Sequence, residues 1–483
     1  METPSLYIPE LHQFKMKGKN IVFDVMTSRI FAVDDLAYEI LAHAHESTID
    51  NIFSILTPNY SRDEITTTMN ELKQARLLQE SPFDFQPIKV EGDSELPLRA
   101  MDLILSQDCN LRCRYCFADT GAYKGERSLM NTDVAKSAID FMIQRSGNLK
   151  DLFVVFFGGE PTVNIPVMKE TIEYVEAKVP STGKNIHFTI STNGTLLTEE
   201  LIQYLHSKKV AVQISIDGNE ETQDRNRPYQ GNKGSYSDVK ENTSNYIRIT
   251  GHSIHARATV TSWDADNFVT NVNHLLSMGF TTVHEEPAAG VKGKIFINNE
   301  SDIQRLIEQY EKMCDIMLEK IKKNEYLGFD NITKGLHHCH NNKRKLWFCS
   351  TGRGYLCVGA DGKLYPCHRF IGNNKYLLGN VVTKTYDPYW EKFLMTEAIV
   401  TARKSCSHCW VRFLCGGDCL AHSEEKYGDI LTPDPLRCVL AKRIAELTIL
   451  IYAHITKDQK DDIARIYGFG KKQSKSAVQQ EQG

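Results

Sequence analysis

The chain has 483 residues, 41% of them apolar and 24% charged, with 30 Gly and 15 Pro, which excludes collagen-like, disordered and coiled-coil classes and leaves room for about two to four domains. Its net charge of −4 gives no general attraction to nucleic acid or anionic lipid. The longest apolar run, Leu152 to Phe157, falls far short of the roughly 20 residues a spanning helix needs, and Met1-Glu2-Thr3-Pro4 lacks a basic-then-apolar pattern, so a cytoplasmic protein without membrane contact is expected.

Residues 1–85 read as one block. Asn20 to Val25 and Arg29 to Val33 predict two short β-branched strands around a Met26-Thr27-Ser28 turn. Three helices follow, marked by Leu36, Ile40 and Leu41, by Ile52, Phe53 and Leu56, and by Ile65, Met69, Leu72 and Ala75 after a Ser61 cap. This is a winged-helix pattern. The block carries 7 Lys and Arg against 13 Asp and Glu, a balance of −6, so duplex DNA would be repelled. The Pro, Gly and acidic residues from Ser81 to Pro97 read as a linker.

Residues 98–325 alternate strand and helix. The strands are Leu98 to Ser106, Leu152 to Phe157, His187 to Ser191, Val210 to Ile216, Ile254 to Thr261 and Thr282 to Pro287, with helices such as Thr132 to Gln144 between them. Six such units predict right-handed crossovers and a parallel sheet, doubly wound or an incomplete (β/α)6 barrel, with the active site at the carboxyl ends of the strands. A long amphipathic helix over Ser301 to Lys323 leaves this α/β domain. Residues 340–465 form a third unit that is loop-rich from Cys349 to Cys438, where metal is expected to replace a large apolar core, and ends in a helix over Ala441 to Ile455. Residues 470–483 read as a disordered tail.

Thirteen cysteines are an odd number at tight spacings, a pattern of metal sites in a reducing compartment. Cys109, Cys113 and Cys116 follow the first strand of the α/β domain. Three thiolates there can hold three irons of a cubane and leave the fourth open; the alternative is a zinc site completed by a distant His. Phe156-Phe157-Gly158-Gly159-Glu160 ends the second strand, either a simple turn or a place where glycines allow close approach of a ligand and a carboxylate meets an ammonium group. Eight cysteines lie between Cys349 and Cys438, too many for one tetrahedral site, although Cys406 and Cys409 alone also suit a zinc ribbon.

The Cys-x3-Cys-x2-Cys loop with Tyr115 inside it, followed by Gly-Gly-Glu one strand later, resembles the radical S-adenosylmethionine (SAM) superfamily. The resemblance implies that Cys109, Cys113 and Cys116 ligate a [4Fe–4S] cluster whose open iron chelates SAM, and that one electron cleaves the sulfonium to a 5′-deoxyadenosyl radical that abstracts a substrate hydrogen. By position it puts Tyr115 near the adenine and Gly158, Gly159 and Glu160 at the amino group. It puts Ser191, Asn193 and Ser215 at the ribose and carboxylate, and Arg227 near the carboxylate. The strand-end polar residues are equally suited to be caps or turns.

The array Cys349, Cys367, Cys406, Cys409, Cys415, Cys419 and Cys438 resembles the SPASM domain, an auxiliary-cluster extension. The resemblance implies one [4Fe–4S] cluster on Cys406, Cys409, Cys415 and Cys438 and a second on Cys349, Cys367 and Cys419, three clusters in all. Cys357 is either a fourth ligand of the second or a core thiol. The N-terminal block resembles the recognition element of ribosomal-peptide maturases, where a leader adds as a strand, here beside Ile30 to Val33 and the helix Ile65 to Leu77. The whole is similar to thioether-forming ranthipeptide maturases of the freyrasin type. Sulfatase maturases match less well, carrying Asp where this chain has His368. The resemblance implies a Cys-containing precursor peptide, a flavodoxin- or ferredoxin-type electron donor, and crosslinking of a Cys sulfur to a side-chain carbon of Asp or Glu. The alternatives are a link to an α-carbon or other SPASM maturation, and, from another class, a metal-structured regulator or scaffold.

Overall fold

The computed structural model describes residues 5–455 and 459, apart from 46, 85–87, 89, 91–95, 253, 291, 292, 294 and 326; the expected tail at 470–483 lies outside the described residues. The N-terminal unit opens with β1 (Ser5–Leu6), followed by β2 (Leu11–Met16), β3 (Lys19–Asp24) and β4 (Arg29–Val33), an antiparallel sheet in the order β2-β3-β4. It continues through α1 (Asp35–His43), β5 (Ser47–Thr48), which pairs with β1, α2 (Ile49–Leu56) and α3 (Arg62–Gln74). The sheet has one strand more than expected. In β2, Leu-His-Gln-Phe-Lys-Met mixes polar residues among its apolar ones and carries a weak strand signal. The turn between β3 and β4 is held by Asp24, whose Oδ1 accepts from the amides of Met26 and Thr27. Ser61 and Glu64 close a reciprocal capping box at the start of α3.

Strand alternation sets how this unit attaches. Val22 faces its own helices and packs with Leu36, Ile40, Ile52, Ile65 and Leu72. Its neighbours Ile21 and Phe23, both fully buried, belong to the main core of the molecule.

That main core is built on β6 (Ala100–Ser106), α4 (Thr132–Arg145), β7 (Asp151–Gly158), α5 (Ile165–Lys178), β8 (Asn185–Thr192), α6 (Glu199–Ser207), β9 (Ala211–Ser215), α7 (Glu220–Asn226), α8 (Tyr236–Thr250), β10 (His255–Val260), α9 (Phe268–Ser277) and β11 (Thr282–Pro287). The six strands pair in parallel and in sequence order, as the repeated strand–helix pattern predicts. Two further helices, α10 (Glu300–Lys322) and α11 (Asp330–His340), leave this sheet. Met101, Leu103 and Leu105 of β6 join the main core, whereas Ile104 joins a separate cluster with Ala118, Tyr123 and Cys357 on the opposite face.

The cysteine-rich region differs from expectation. β12 (Tyr355–Val358) pairs in parallel with β6 and extends the sheet, and β13 (Lys363–Tyr365), β14 (Gly379–Asn380) and β15 (Thr385–Tyr386) carry it on antiparallel to ten strands. Helices α12 (Tyr389–Thr396), α13 (Arg412–Cys415), α14 (Leu420–Tyr427) and α15 (Pro435–His454) complete it. Tyr365, Phe370, Tyr376, Leu394, Leu420 and Ile430 form an apolar core of their own, so metal does not stand in for one here. Strands of two to four residues are too short to show a period in sequence. α15 also begins earlier than Ala441, because Pro435 occupies its first turn under an Asp434 cap, which places Cys438 on the helix.

Phe23 ties the N-terminal sheet to the body, so Phe23→Ala is expected to cost about 3–5 kcal/mol, read as a lower denaturant midpoint for the holo-protein.

Candidate active site

The loop from β6 to α4 holds Cys109, Cys113 and Cys116 at the carboxyl end of the sheet. It is pinned to the turn after α7: the amides of Arg112 and Arg114 donate to the carbonyls of Pro228 (2.7 Å) and Asn226 (2.9 Å). Asn193, at the end of β8, donates from Nδ2 to Asn110 Oδ1 at 2.8 Å and lies 3.8 Å from Cys109 Sγ. Burial pushes the Cys109 thiol up to about 12 and the Cys113 thiol up to about 11, the latter opposed by the Arg227 guanidinium. Such thiols become thiolates only beside a strong positive charge, which an iron cluster supplies.

Gly158 and Gly159 let the end of β7 come close to the neighbouring chain. A Cβ on Gly158 would stand 2.3 Å from the Ser106 carbonyl oxygen, and one on Gly159 2.3 Å from that of Asp108. Gly158 has φ +142°. The end of β7 is therefore pressed against the base of the cysteine loop. Glu160 is buried; its Oε1 accepts from Thr162 N, Thr162 Oγ1 and Thr192 Oγ1 and its Oε2 from Asn193 N at 2.7 Å. Four bonds from the chain go to a group that the resemblance places at an amino group, so it also fastens β8 to β7. Burial raises its pKa against these bonds.

Tyr115 points to the far side. Its hydroxyl donates to Asp217 (2.7 Å to Oδ2) and accepts from Arg227 Nη1 (2.7 Å). Asp217, fully buried just beyond β9, also accepts from the amide of Thr259 at 3.1 Å. Arg227 lies 3.8 Å from Asp217, and its Nε meets no partner. The structure thus gathers Cys109, Cys113, Cys116, Tyr115, Asn193, Glu160 and Arg227 around one strand-end hollow. Ser191 and Ser215 lie half-buried at the ends of β8 and β9 beside it. Asp217 joins Tyr115, Arg227 and the amide of Thr259.

Two more thiol sets stand above this hollow. Cys367 feels the charges of Cys349 and Cys419, and Arg369 Nη1 donates towards Cys419 Sγ at 3.6 Å. Cys438 feels those of Cys415, Cys406 and Cys409, and burial pushes its thiol up to about 12. Cys357 is fully buried beside Ile104, Ala118 and Tyr123. Among the described residues no three His, Cys, Asp or Glu side chains converge on a single metal ion. Sequence reasoning missed a third feature: Asp102 on β6 accepts from Tyr355 on β12 and lies 2.7 Å from His368 Nδ1, with the His368 ring stacked on Phe157 at 4.5 Å. No local motif could show a contact spanning 266 positions.

The radical SAM superfamily model matches residues 103–261 and the iron-sulfur cluster-binding SPASM model residues 349–410. The radical SAM cyclopropyl synthase TigE of Paramaledivibacter caminithermalis is 25% identical over 71% of this chain and 72% of its own. The cysteine-type anaerobic sulfatase-maturating enzyme of Clostridium novyi is 22% identical over 71% and 94%. In fold, anSMEcpe with bound AdoMet aligns at a TM-score of 0.63 and 20% identity, covering 76% of this chain and 99% of that one. Streptococcus suis SuiB bound to S-adenosylmethionine aligns at 0.50 and 15% identity, covering 89% and 99%. The chain thus carries a radical SAM domain and an iron-sulfur cluster-binding SPASM domain; radical SAM domains use SAM and a [4Fe–4S] cluster, and SPASM domains bind further clusters. Sulfatase maturases, which match less well on the sequence expectation, stand among its relatives. The strand-end hollow, with three thiols and no side chain at Gly158 or Gly159, fits that cofactor set.

Beneath the sheet, Glu285 of β11 is fully buried; Tyr310 donates to its Oε2 at 2.9 Å and its Oε1 meets no partner. Burial pushes its carboxyl up to about 8, so the folded chain keeps a proton that the unfolded chain releases near 4.5. Stability therefore falls as pH rises from about 4.5 to 8 and then levels. Glu285→Gln is expected to flatten that slope and to stabilise the protein above pH 8 by on the order of 2–4 kcal/mol, measured by denaturant titration across pH.

Proposed function

We propose that the enzyme forms thioether crosslinks between a Cys sulfur and a side-chain carbon of Asp or Glu in a ribosomally made precursor peptide, whose leader binds residues 1–85. The observation that carries this reading is the N-terminal unit, an acidic block built on a three-stranded sheet and packed against the main core of the molecule. Its strand β4 is an edge of the sheet, and α3 packs nearby, with Arg29 Nη2 donating to Ala75 O at 3.1 Å just past that helix. A leader strand adding to β4 would satisfy that edge. A cavity of about 550 Å³ opens at its Ala32–Asp35 end. The unit's negative balance argues against nucleic acid. Among the relatives, TigE is a cyclopropyl synthase, and anSMEcpe is described with AdoMet and a peptide bound.

In this reading Cys109, Cys113 and Cys116 hold the cluster that binds SAM. Cys406, Cys409, Cys415 and Cys438 hold one auxiliary cluster, and Cys349, Cys367 and Cys419 the other, with Cys357 as core. When bound, SAM and its cluster supply abstraction of a substrate hydrogen atom. The chain's own part is to orient and to exclude water. Asp217 fixes Tyr115 and Arg227, Asn193 holds Asn110 of the cysteine loop, and Glu160 locks β7 to β8. The Asp or Glu acceptor is carried over from the resemblance; near the strand ends Arg257 pairs with Glu286 at 3.8 Å, and Arg437 bridges Glu286 (2.6 Å) and Asp418 (2.8 Å). A flavodoxin- or ferredoxin-type donor supplies the electron. No helix among the described residues is long and apolar enough to cross a membrane, in keeping with a cytoplasmic site of action.

The reconstituted enzyme, given a Cys-containing precursor, SAM and reductant without air, is expected to remove two hydrogens per crosslink, with fragment ions placing the link on an Asp or Glu side chain. Removing the leader should lower conversion at least tenfold. A link to an α-carbon, or a product without a thioether, would overturn the assignment. Cys109→Ala, Cys113→Ala and Cys116→Ala together should abolish release of 5′-deoxyadenosine, followed by chromatography.

A further inference from the structure

Among the described residues Arg403 is the largest fully buried side chain, 2% exposed. Its Nε donates to the carbonyl of Leu431 at 3.0 Å, but Nη1 and Nη2 meet no partner among the described residues. A guanidinium is always charged, and an isolated buried charge costs several kcal/mol unless an anion compensates it. The surroundings show where that anion belongs. The Arg403 carbonyl accepts from the amide of Cys406 at 2.8 Å, so the side chain leaves the same turn that carries that thiol. The tip of the side chain lies over Gly417, where a Cβ would come within 2.5 Å of Nη1. Gly417 stands between Cys415 and Cys419, has φ +97°, and its carbonyl accepts from Cys415 Sγ at 2.7 Å. On its other side Arg403 lines a small cavity with Cys349, Thr351, Trp347 and Leu420. Among the described residues no acidic side chain lines that cavity, and Asp429, which feels the charge of Arg403, makes no hydrogen bond to its Nη1 or Nη2. The guanidinium thus ends among thiol-bearing segments.

We propose that Arg403 is the buried counter-charge of the auxiliary cluster on Cys406, Cys409, Cys415 and Cys438, a positioning residue that raises that cluster's reduction potential so that it can accept an electron. A [4Fe–4S] centre with four thiolates is anionic, and reduction adds one more negative charge. A fixed cation with two free N–H groups stabilises the reduced form more than the oxidised form, and charge and hydrogen bonds to sulfur are the established levers on such potentials. This inference rests on the auxiliary-cluster reading above.

The test uses the full chain bearing Cys109→Ala, Cys113→Ala and Cys116→Ala, so that only auxiliary clusters titrate, with iron and sulfide counts and redox titration followed by electron paramagnetic resonance. Arg403→Met should lower the potential of one auxiliary cluster by at least tenfold in its reduction equilibrium, about 59 mV for one electron. Arg403→Lys, which keeps the charge, should stay close to the parent. Loading of iron by Arg403→Lys but not by Arg403→Met would also support the charge. An unchanged potential in an iron-loaded Arg403→Met chain, or equal loss of iron in both variants, would overturn the inference. A parent chain with no auxiliary iron would instead overturn the cluster reading beneath it.

Discussion

The organisation of this protein turns on the cost of burying sulfur that must carry negative charge. Cys109, Cys113, Cys415 and Cys438 all lie where burial raises their thiols well above the ordinary range. A chain that gathers thiols in this way needs positive charge near them, from iron and from its own side chains. Around the strand-end hollow that charge is Arg227, oriented through Tyr115 and Asp217. Among the upper thiol sets it is Arg369, Arg403 and Lys345, the last with its pKa lowered by burial yet facing Cys415 and Cys349.

Positioning follows from the same need for close packing. Gly158 and Gly159 let β7 meet the base of the cysteine loop, and Glu160 then fastens it to β8. β12 extends the sheet beside β6 and brings Tyr355 and His368 onto Asp102. The cysteine-rich region is therefore part of the same sheet as the α/β domain. On the opposite side, the N-terminal unit is joined to the same region. His12 stacks on Trp410 at 3.6 Å, and Arg412 makes a paired contact with Glu10 at 2.5 Å. These residues lie between Cys409 and Cys415 and on the N-terminal unit, so that unit and an auxiliary thiol set share one interface.

Much of this was legible from the sequence where the signal was long or chemically narrow. The six parallel strands of the α/β domain showed as apolar runs at regular intervals, and the cysteine spacings pointed to metal sites, with the grouping of the thiols implied by the family resemblance. Other features carried no local signal. β2 mixes His, Gln and Lys into its apolar pattern, and the strands from β12 to β15 are too short for a period to emerge. Pro435 reads as a breaker but opens α15. The roles of Gly158, Asp102 and Arg403 depend on partners far away in the chain or on space that only the folded structure defines.

The central claim is that three separate thiol sets each hold a four-iron cluster. Anaerobic reconstitution of the full chain followed by iron and acid-labile sulfide analysis with Mössbauer spectroscopy tests it most directly. The account predicts about 12 irons with matching sulfide, all in cubane centres. Bound zinc, or about four irons in a single centre, would contradict it.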